Sequence, residues 1–237
     1  MSQVYWAVLM ERTIPDYAFA AFMDMSMRAG NKGYARINVG YTRIDVARNR
    51  VAQTFVESTD DPDDVLIMLD MDHIHSRDTL DRLASHGQDV VAALAFRRCP
   101  PYDPQMYKLV DGALVQPSTW EPGLLEVDAF GMAAFAVRRR VFDALEERGV
   151  HYPWFRFWYP NVPMAQQSFP SEDIFFCMCL GAAGIPMYVD TTLVAPHLTV
   201  STVADDTWAA YLEDHPGLRL DARPVPAGLA EKLGVRA

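Results

Sequence analysis

Val65-Leu66-Ile67-Met68-Leu69-Asp70-Met71-Asp72 is the stretch on which the fold assignment turns. Its first five residues are apolar without alternation, as in a strand buried on both faces at the centre of a parallel sheet. Two carboxylates, one residue apart, then leave the strand end. An apolar strand gains nothing structural from paired acids at its mouth, and their repulsion costs energy unless a cation lies between them. Hard oxygen ligands in such a place suit Mg²⁺ or Mn²⁺ together with a phosphate-bearing substrate. A solvated turn is the plainer account of the same residues.

Upstream, Val4 to Met10 is a short apolar run, and Pro15 to Ala29 shows helical spacing of Phe19, Phe22, Met23 and Met27 before Gly30. Tyr34 to Val39 reads as a strand, and Thr42 as the cap of a helix with the stripe Ile44, Ala47, Val51 and Phe55. Asp60 to Asp64 is an acidic turn. Downstream, Ser76 caps a helix that runs through Ser85 and ends at Gly87, and Val90 to Ala95 is another buried strand. This β-α-β-α-β-α-β order predicts an α/β sheet with helices on both faces and ligands at the carboxyl ends of its strands.

The second half reads as mixed. Met106–Val110 and Ala113–Val115 flank a turn at Asp111-Gly112, which predicts a hairpin. Leu124–Phe130 and Ala133–Val137 read as strands, Arg139–Arg148 and Glu172–Ala183 as helices, and Met187–Val189 as a late strand. An aromatic loop around Trp154 to Tyr159 offers faces on which a sugar or base could stack, or else packs against the core.

The chain has 237 residues, half of them hydrophobic, which is ample for one continuous core. No apolar run approaches the ~20 residues of a membrane span. Met1-Ser2-Gln3 lacks the basic start of a secretory signal, so a cytoplasmic location is expected. Thirty-one acidic residues against 21 basic ones give a net charge of −10, which argues against a broad grip on nucleic-acid phosphates. Three cysteines, Cys99, Cys177 and Cys179, fit reduced thiols, most simply buried ones.

Two further segments carry chemistry. Ser171 reads as an N-cap, which puts Glu172 and Asp173 in a first helical turn where carboxylates are favoured whether or not they react. His197 follows the last strand, where a lone histidine is ordinarily structural. His73 and His75 adjoin the paired aspartates but receive no role, since a site holding Asp70 and Asp72 needs few more protein ligands.

In this order the parts resemble the GT-A glycosyltransferases, particularly the bacterial and phage-type relatives of the large inverting family two. The resemblance rests on the Ala47-Arg48-Asn49 helix, the D-x-D at Asp70-Met71-Asp72, the Phe130-Gly131-Met132-Ala133 strand, the Glu172-Asp173 helix start, and His197. It implies a Rossmann-like nucleotide-diphospho-sugar transferase fold, a mostly parallel mixed central sheet flanked by helices. One domain would span residues 1–200, with a donor half over 1–98 and an acceptor half over 99–200; residues 201–237 would form a lid and surface tail. The implied activity is a metal-dependent, hexosyltransferase-type transfer from a nucleotide-diphosphate sugar to an acceptor hydroxyl on a glycan, lipid, protein or modified nucleobase.

The resemblance also implies roles. Asp72 would ligate Mn²⁺ or Mg²⁺ at the donor diphosphate, and Asp70 would contact the ribose or a metal-bound water. Arg48, with Asn49 beside it, would lie against the nucleotide base and ribose. His197 would complete the metal shell, which tilts preference toward Mn²⁺. Asp173 would be the general base of an inverting reaction, with Glu172 as its substitute. Gly131 would let the backbone pass close to the sugar, or else mark a plain β-bulge. Thr199 to Asp206 would fold over bound donor. Asn38-Val39-Gly40-Tyr41 stands where family members often present an aspartate to the base, and the Q-x-x-R-W motif of processive synthases is absent.

Other readings stay open. A haloacid-dehalogenase-type phosphatase also places D-x-D after a buried strand, but Ile74 stands where it normally has Thr or Val. A nucleotidyltransferase would show a glycine-rich basic loop after its first strand, and Glu11-Arg12-Thr13-Ile14-Pro15 has no glycine. A non-catalytic nucleotide- or sugar-binding module would have lost the acids.

Overall fold

The structure, a computed structural model, describes residues 2–9, 16–99, 101–157, 170–199 and 213–214. The chain divides into two compact units, Met1–Thr199 and Val200–Ala237. The first contains, in chain order, β1 (Val4–Leu9), α1 (Asp16–Asn31), β2 (Ala35–Arg36), α2 (Ile44–Ser58), β3 (Val65–Asp70), α3 (Thr79–Ser85) and β4 (Val90–Ala95). There follow β5 (Met106–Val110), β6 (Ala113–Val115), β7 (Leu124–Val127), β8 (Ala129–Phe130), β9 (Ala134–Arg138), α4 (Arg139–Glu147), α5 (Glu172–Ala182) and β10 (Met187–Ala195).

The expected α/β architecture, a mostly parallel mixed sheet flanked by helices, is present. Seven strands lie in the order β2-β1-β3-β9-β4-β10-β7. β1 pairs in parallel with β2 and β3, and β10 with β4, while β9 and β7 run antiparallel to their neighbours. β3 lies inside this sheet, and successive residues face opposite layers. Leu66 and Met68 enter one core with Val51 and Phe55 of α2, Phe142 of α4 and Phe176 of α5. Val65, Ile67 and Leu69 enter the other, with Met25 of α1 and Leu80 and Leu83 of α3. The absence of alternation is thus explained by two apolar layers, one on each side.

Several local readings shift. α1 turns Ala18, Met25 and Ala29 inward and leaves Phe19, Met23 and Met27 exposed; of the expected stripe, Phe22 packs on the core beside Trp6. The N-cap of α2 is Arg43 rather than Thr42. Leu124–Phe130 is broken at Asp128 into β7 and β8, which belong to different sheets. The β5–β6 hairpin forms as expected, with Asp111 at φ 50° and Gly112 at φ 79°, the left-handed pair a tight hairpin turn requires. Cys177 is buried, Cys179 partly so, and Cys99 exposed.

The insertion of β9 between β3 and β4 matters most for function. It brings the chain just before β9 alongside the end of β3, where the Asp70 amide donates to the Ala133 carbonyl at 2.8 Å. Gly131 lies in this approach, and a Cβ built there would stand 2.8 Å from the Gln105 Cβ. The glycine is therefore required by close packing against the segment entering β5. Gly131→Ala should cost about 1–3 kcal/mol by overpacking, read as a lower urea midpoint with unchanged slope. A midpoint equal to the parent's would show that Gln105 yields freely.

Candidate active site

The carboxyl end of β3 opens into a cavity of about 620 Å³ whose wall includes Arg43, Arg48, Asp70, Asp72, Arg98, Glu172 and Asp173. Four of these residues carry carboxylates and three carry guanidiniums, so the wall holds an excess of acid. Three of the segments singled out in the sequence meet here: the α2 arginine, the D-x-D and the α5 start.

Arg48 organises the back of the site. Its side chain is 2% exposed. Nη2 donates to both Asp70 oxygens, at 3.0 and 2.9 Å, and to the Met132 carbonyl at 3.2 Å, while Nη1 donates to Glu172 Oε1 at 2.6 Å. Burial opposes a charged guanidinium, but Asp70, Glu172 and Asp173 outweigh it and hold Arg48 protonated above its ordinary range. The resemblance implies a place for Arg48 against base and ribose. Its head group is instead committed to the acids behind the cavity. Burial in turn pushes the Asp70 carboxyl up to about 7, against the pull of Arg48 and with the help of the Asp72 charge. Burial likewise raises Glu172, again against Arg48. Glu172 is therefore the partner of Arg48, which leaves Asp173 as the freer carboxylate at the start of α5.

Ser171 holds the N-cap position of α5 without a side-chain capping bond. Its hydroxyl goes to Asp173 Oδ1, which also accepts the Ile174 amide at 2.8 Å. These two bonds fix the Asp173 carboxyl on the cavity wall. Asn49 is not on that wall. Its amide donates to the Asp45 and Phe155 carbonyls at 2.8 and 2.7 Å and accepts from the Phe155 amide at 3.0 Å. Asn49 thus ties the aromatic loop to α2. The first two aromatics of that loop pack in the core: Trp154 and Phe155 are buried, with Phe155 stacked on Phe176 at 4.4 Å between ring centroids. Trp158 and Tyr159 lie outside the described residues, as does the expected lid from Val200 onward. Gly131 is likewise absent from the cavity wall.

The front of the site is a cluster around Asp72. The segment beyond β3 bridges to the segment beyond β10 in an antiparallel contact that opposes His73 and His197. The Leu198 amide donates to the Asp72 carbonyl at 2.8 Å, and the Ile74 amide to the Pro196 carbonyl at 2.9 Å. Asp72 Oδ1 is 2.9 Å from His73 Nδ1, and Oδ2 is 3.1 Å from His197 Nε2 and 2.7 Å from Arg98 Nη2. Burial would raise this carboxyl, yet the two imidazoles hold it well below the usual range. His75 sits beneath, buried, with Nε2 2.8 Å from the Asp70 carbonyl, and burial lowers it to about 4.

The donor set suits a divalent cation. His197 Nδ1 is 2.9 Å from the Phe96 carbonyl, which can only accept, so that nitrogen carries the proton. The other nitrogen, Nε2, faces Asp72 Oδ2 at 3.1 Å, where a protonated ring donates to the carboxylate and a neutral ring leaves a lone pair that a cation would bridge to it. Imidazole bound to a metal characteristically donates its other N–H to a carbonyl in this way. Asp72, His73 and His197 bring ligand atoms within 4.8 Å of one another. His73, which has no role in the sequence reading, therefore belongs to the cluster. The signal that could have found it is pairing across the chain between residues 73 and 197, which one sequence does not display.

No protein-family model and no curated sequence matches this chain. In structure it is similar to the inositol-1-phosphate CTP transferase of T. maritima, at 9% identity and TM-score 0.42, covering 92% of this chain and 98% of that one. It is also similar to 4-diphosphocytidyl-2C-methyl-D-erythritol synthase of Anaerococcus prevotii, at 10% identity and TM-score 0.41, over 90% and 99%. A Drosophila β1,4-galactosyltransferase 7 variant, in complex with manganese, UDP-Gal and xylobiose, gives 15% identity and TM-score 0.35, over 87% and 69%.

Removing Arg48 strands two acids. Arg48→Met should cost about 3–5 kcal/mol, because Asp70 and Glu172 lose their buried counter-charge, and Arg48→Met/Glu172→Gln should lose less than the single variant. Urea denaturation of the pair provides the check; equal losses would mean that Glu172 does not depend on Arg48.

Proposed function

We propose that this protein is a metal-dependent glycosyltransferase that moves a sugar from a nucleotide-diphosphate donor to an acceptor hydroxyl. The observation that carries this reading is Asp72, which lines the strand-end cavity together with Asp173 and lies 3.1 Å from His197 Nε2. Open α/β sheets bind their ligands at such strand ends. Among the described residues no helix is long and apolar enough to cross a membrane.

A divalent ion held by Asp72 and His197 would supply Lewis acidity, offsetting the negative charge that builds on the departing diphosphate. The remaining work belongs to the chain. Arg48, itself anchored by Glu172, holds Asp70 at the back of the cavity, where its carboxylate would meet a ribose hydroxyl. Arg98 is half exposed and paired with Asp72 Oδ2 at 2.7 Å, so it is placed to turn toward a phosphate oxygen as the donor enters. Asp173, aimed by Ser171 and the Ile174 amide, takes the proton of the acceptor hydroxyl. Asp70 and Arg48 form a two-bond pair, which disfavours Asp70 as a phosphatase nucleophile.

A panel of nucleotide sugars with Mn²⁺, read by thermal shift and by slow donor hydrolysis, identifies the donor. Asp72→Ala should then abolish metal-dependent hydrolysis with the fold intact. Asp173→Asn should lose transfer, by at least about 100-fold for a general base, while retaining donor affinity in calorimetry. Full turnover in Asp72→Ala would refute the reading, and lost donor affinity in Asp173→Asn would make that residue a binding group instead.

A further inference from the structure

We infer that His73 is a metal ligand, so that Asp72, His73 and His197 form a two-imidazole, one-carboxylate centre selective for a transition ion over Mg²⁺. This rests on the proposed function for the presence of an ion and deepens it by fixing the ion's class. The proposed chemistry needs only one carboxylate and one imidazole.

The backbone builds this centre before any ion arrives. Because His73 and His197 oppose one another across an antiparallel bridge, their side chains emerge on one face as a direct cross-strand pair. The rings stack with centroids 4.0 Å apart and planes at 26°. Each presents a nitrogen to a different oxygen of the same carboxylate, at 2.9 Å for His73 and 3.1 Å for His197. His73 is 6% exposed, so the cost of ordering its ring has been met by the fold. An ion about 2.1 Å from each ligand keeps ligand atoms within about 4.2 Å of one another. In a tetrahedral array that separation is about 3.4 Å, so the three atoms of this cluster, within 4.8 Å of one another, close by up to about 1.4 Å and the two rings turn out of their stack as the ion binds.

A cation already stands at the spot. Arg98 Nη2 is 2.7 Å from Asp72 Oδ2, and its side chain is 53% exposed, able to withdraw when a smaller, doubly charged ion takes the carboxylate. Nitrogen ligands discriminate among ions. Mg²⁺ prefers oxygen and keeps its waters, whereas imidazole suits Zn²⁺ and other first-row transition ions. The rival account makes His73 an outer hydrogen-bond donor that orients Asp72 while His197 alone contributes nitrogen. The two accounts differ in the number of nitrogens on the metal.

Electron spin-echo modulation of the full-length protein loaded with Mn²⁺ alone counts those nitrogens directly. The wild type should show two coupled imidazole nitrogens, and His73→Phe, which keeps a ring stacked on His197, should show one. His197→Ala should likewise show one. Calorimetry with Zn²⁺ should give affinity at least about ten-fold weaker in His73→Phe, with Mg²⁺ failing to displace Zn²⁺ from the wild type. A single nitrogen in wild-type protein, or two persisting in His73→Phe, would overturn the role of His73 and leave the proposed function standing. Mn²⁺ that fails to bind would overturn both. Two nitrogens in a protein that binds no nucleoside diphosphate would uphold the centre and remove the transferase reading.

Discussion

The structure depends on one buried guanidinium. Arg48, on α2, reaches the end of the central strand at Asp70, the start of α5 at Glu172 and the carbonyl of Met132 just ahead of β9. Few side chains could replace it. A planar fork of donors is needed to hold two carboxylates and a carbonyl at once, and a lysine offers a single point of charge. Because both acids are desolvated with it, the network is costly to break from any corner. Its return is geometric: three elements far apart in the chain are held at fixed distances behind one cavity.

With the rear acids neutralised, the front acids determine what the cavity attracts. Asp72 keeps its charge between two imidazoles and an exposed arginine, and Asp173 is held by its own helix turn. This separation, with Asp70 and Glu172 paired to Arg48 behind and Asp72 and Asp173 in front, is what gives a patch of four acids a direction. On the proposed function, an anionic donor would enter such a site when a cation bridges it to Asp72. The exposed Arg98 gives that cation a protein-borne substitute in its absence.

The core of this arrangement is legible in the sequence because it depends on local pattern. The unbroken Val65–Leu69 run announces a central strand, the two acids after it announce the site, and Asp111-Gly112 announces a hairpin. Arg48, Glu172 and Asp173, singled out in the sequence, all line the cavity at the strand end. What Arg48 and Glu172 do there is not legible, since that follows from a pairing 124 residues apart in the chain. Asn49 illustrates the same limit: a residue beside a key arginine is hydrogen-bonded to the aromatic loop at Phe155, which is buried with Trp154 in the core. Gly131 is constrained by Gln105, and His73 joins the cluster through its bridge to His197, neither of which leaves a periodic trace. The antiparallel insertion of β9 between β3 and β4 is hidden for the same reason, because strand neighbours are chosen by tertiary packing.

The decisive observation is the anomalous scattering of manganese in crystals soaked with Mn²⁺ and a nucleoside diphosphate. A peak is expected in contact with the Asp72 carboxylate and His197 Nε2, with the diphosphate on its open side and Arg98 withdrawn from Asp72. Density with no manganese at that point, Asp72 still paired to Arg98, and the nucleotide bound elsewhere would rule out a metal-bridged donor at this strand end.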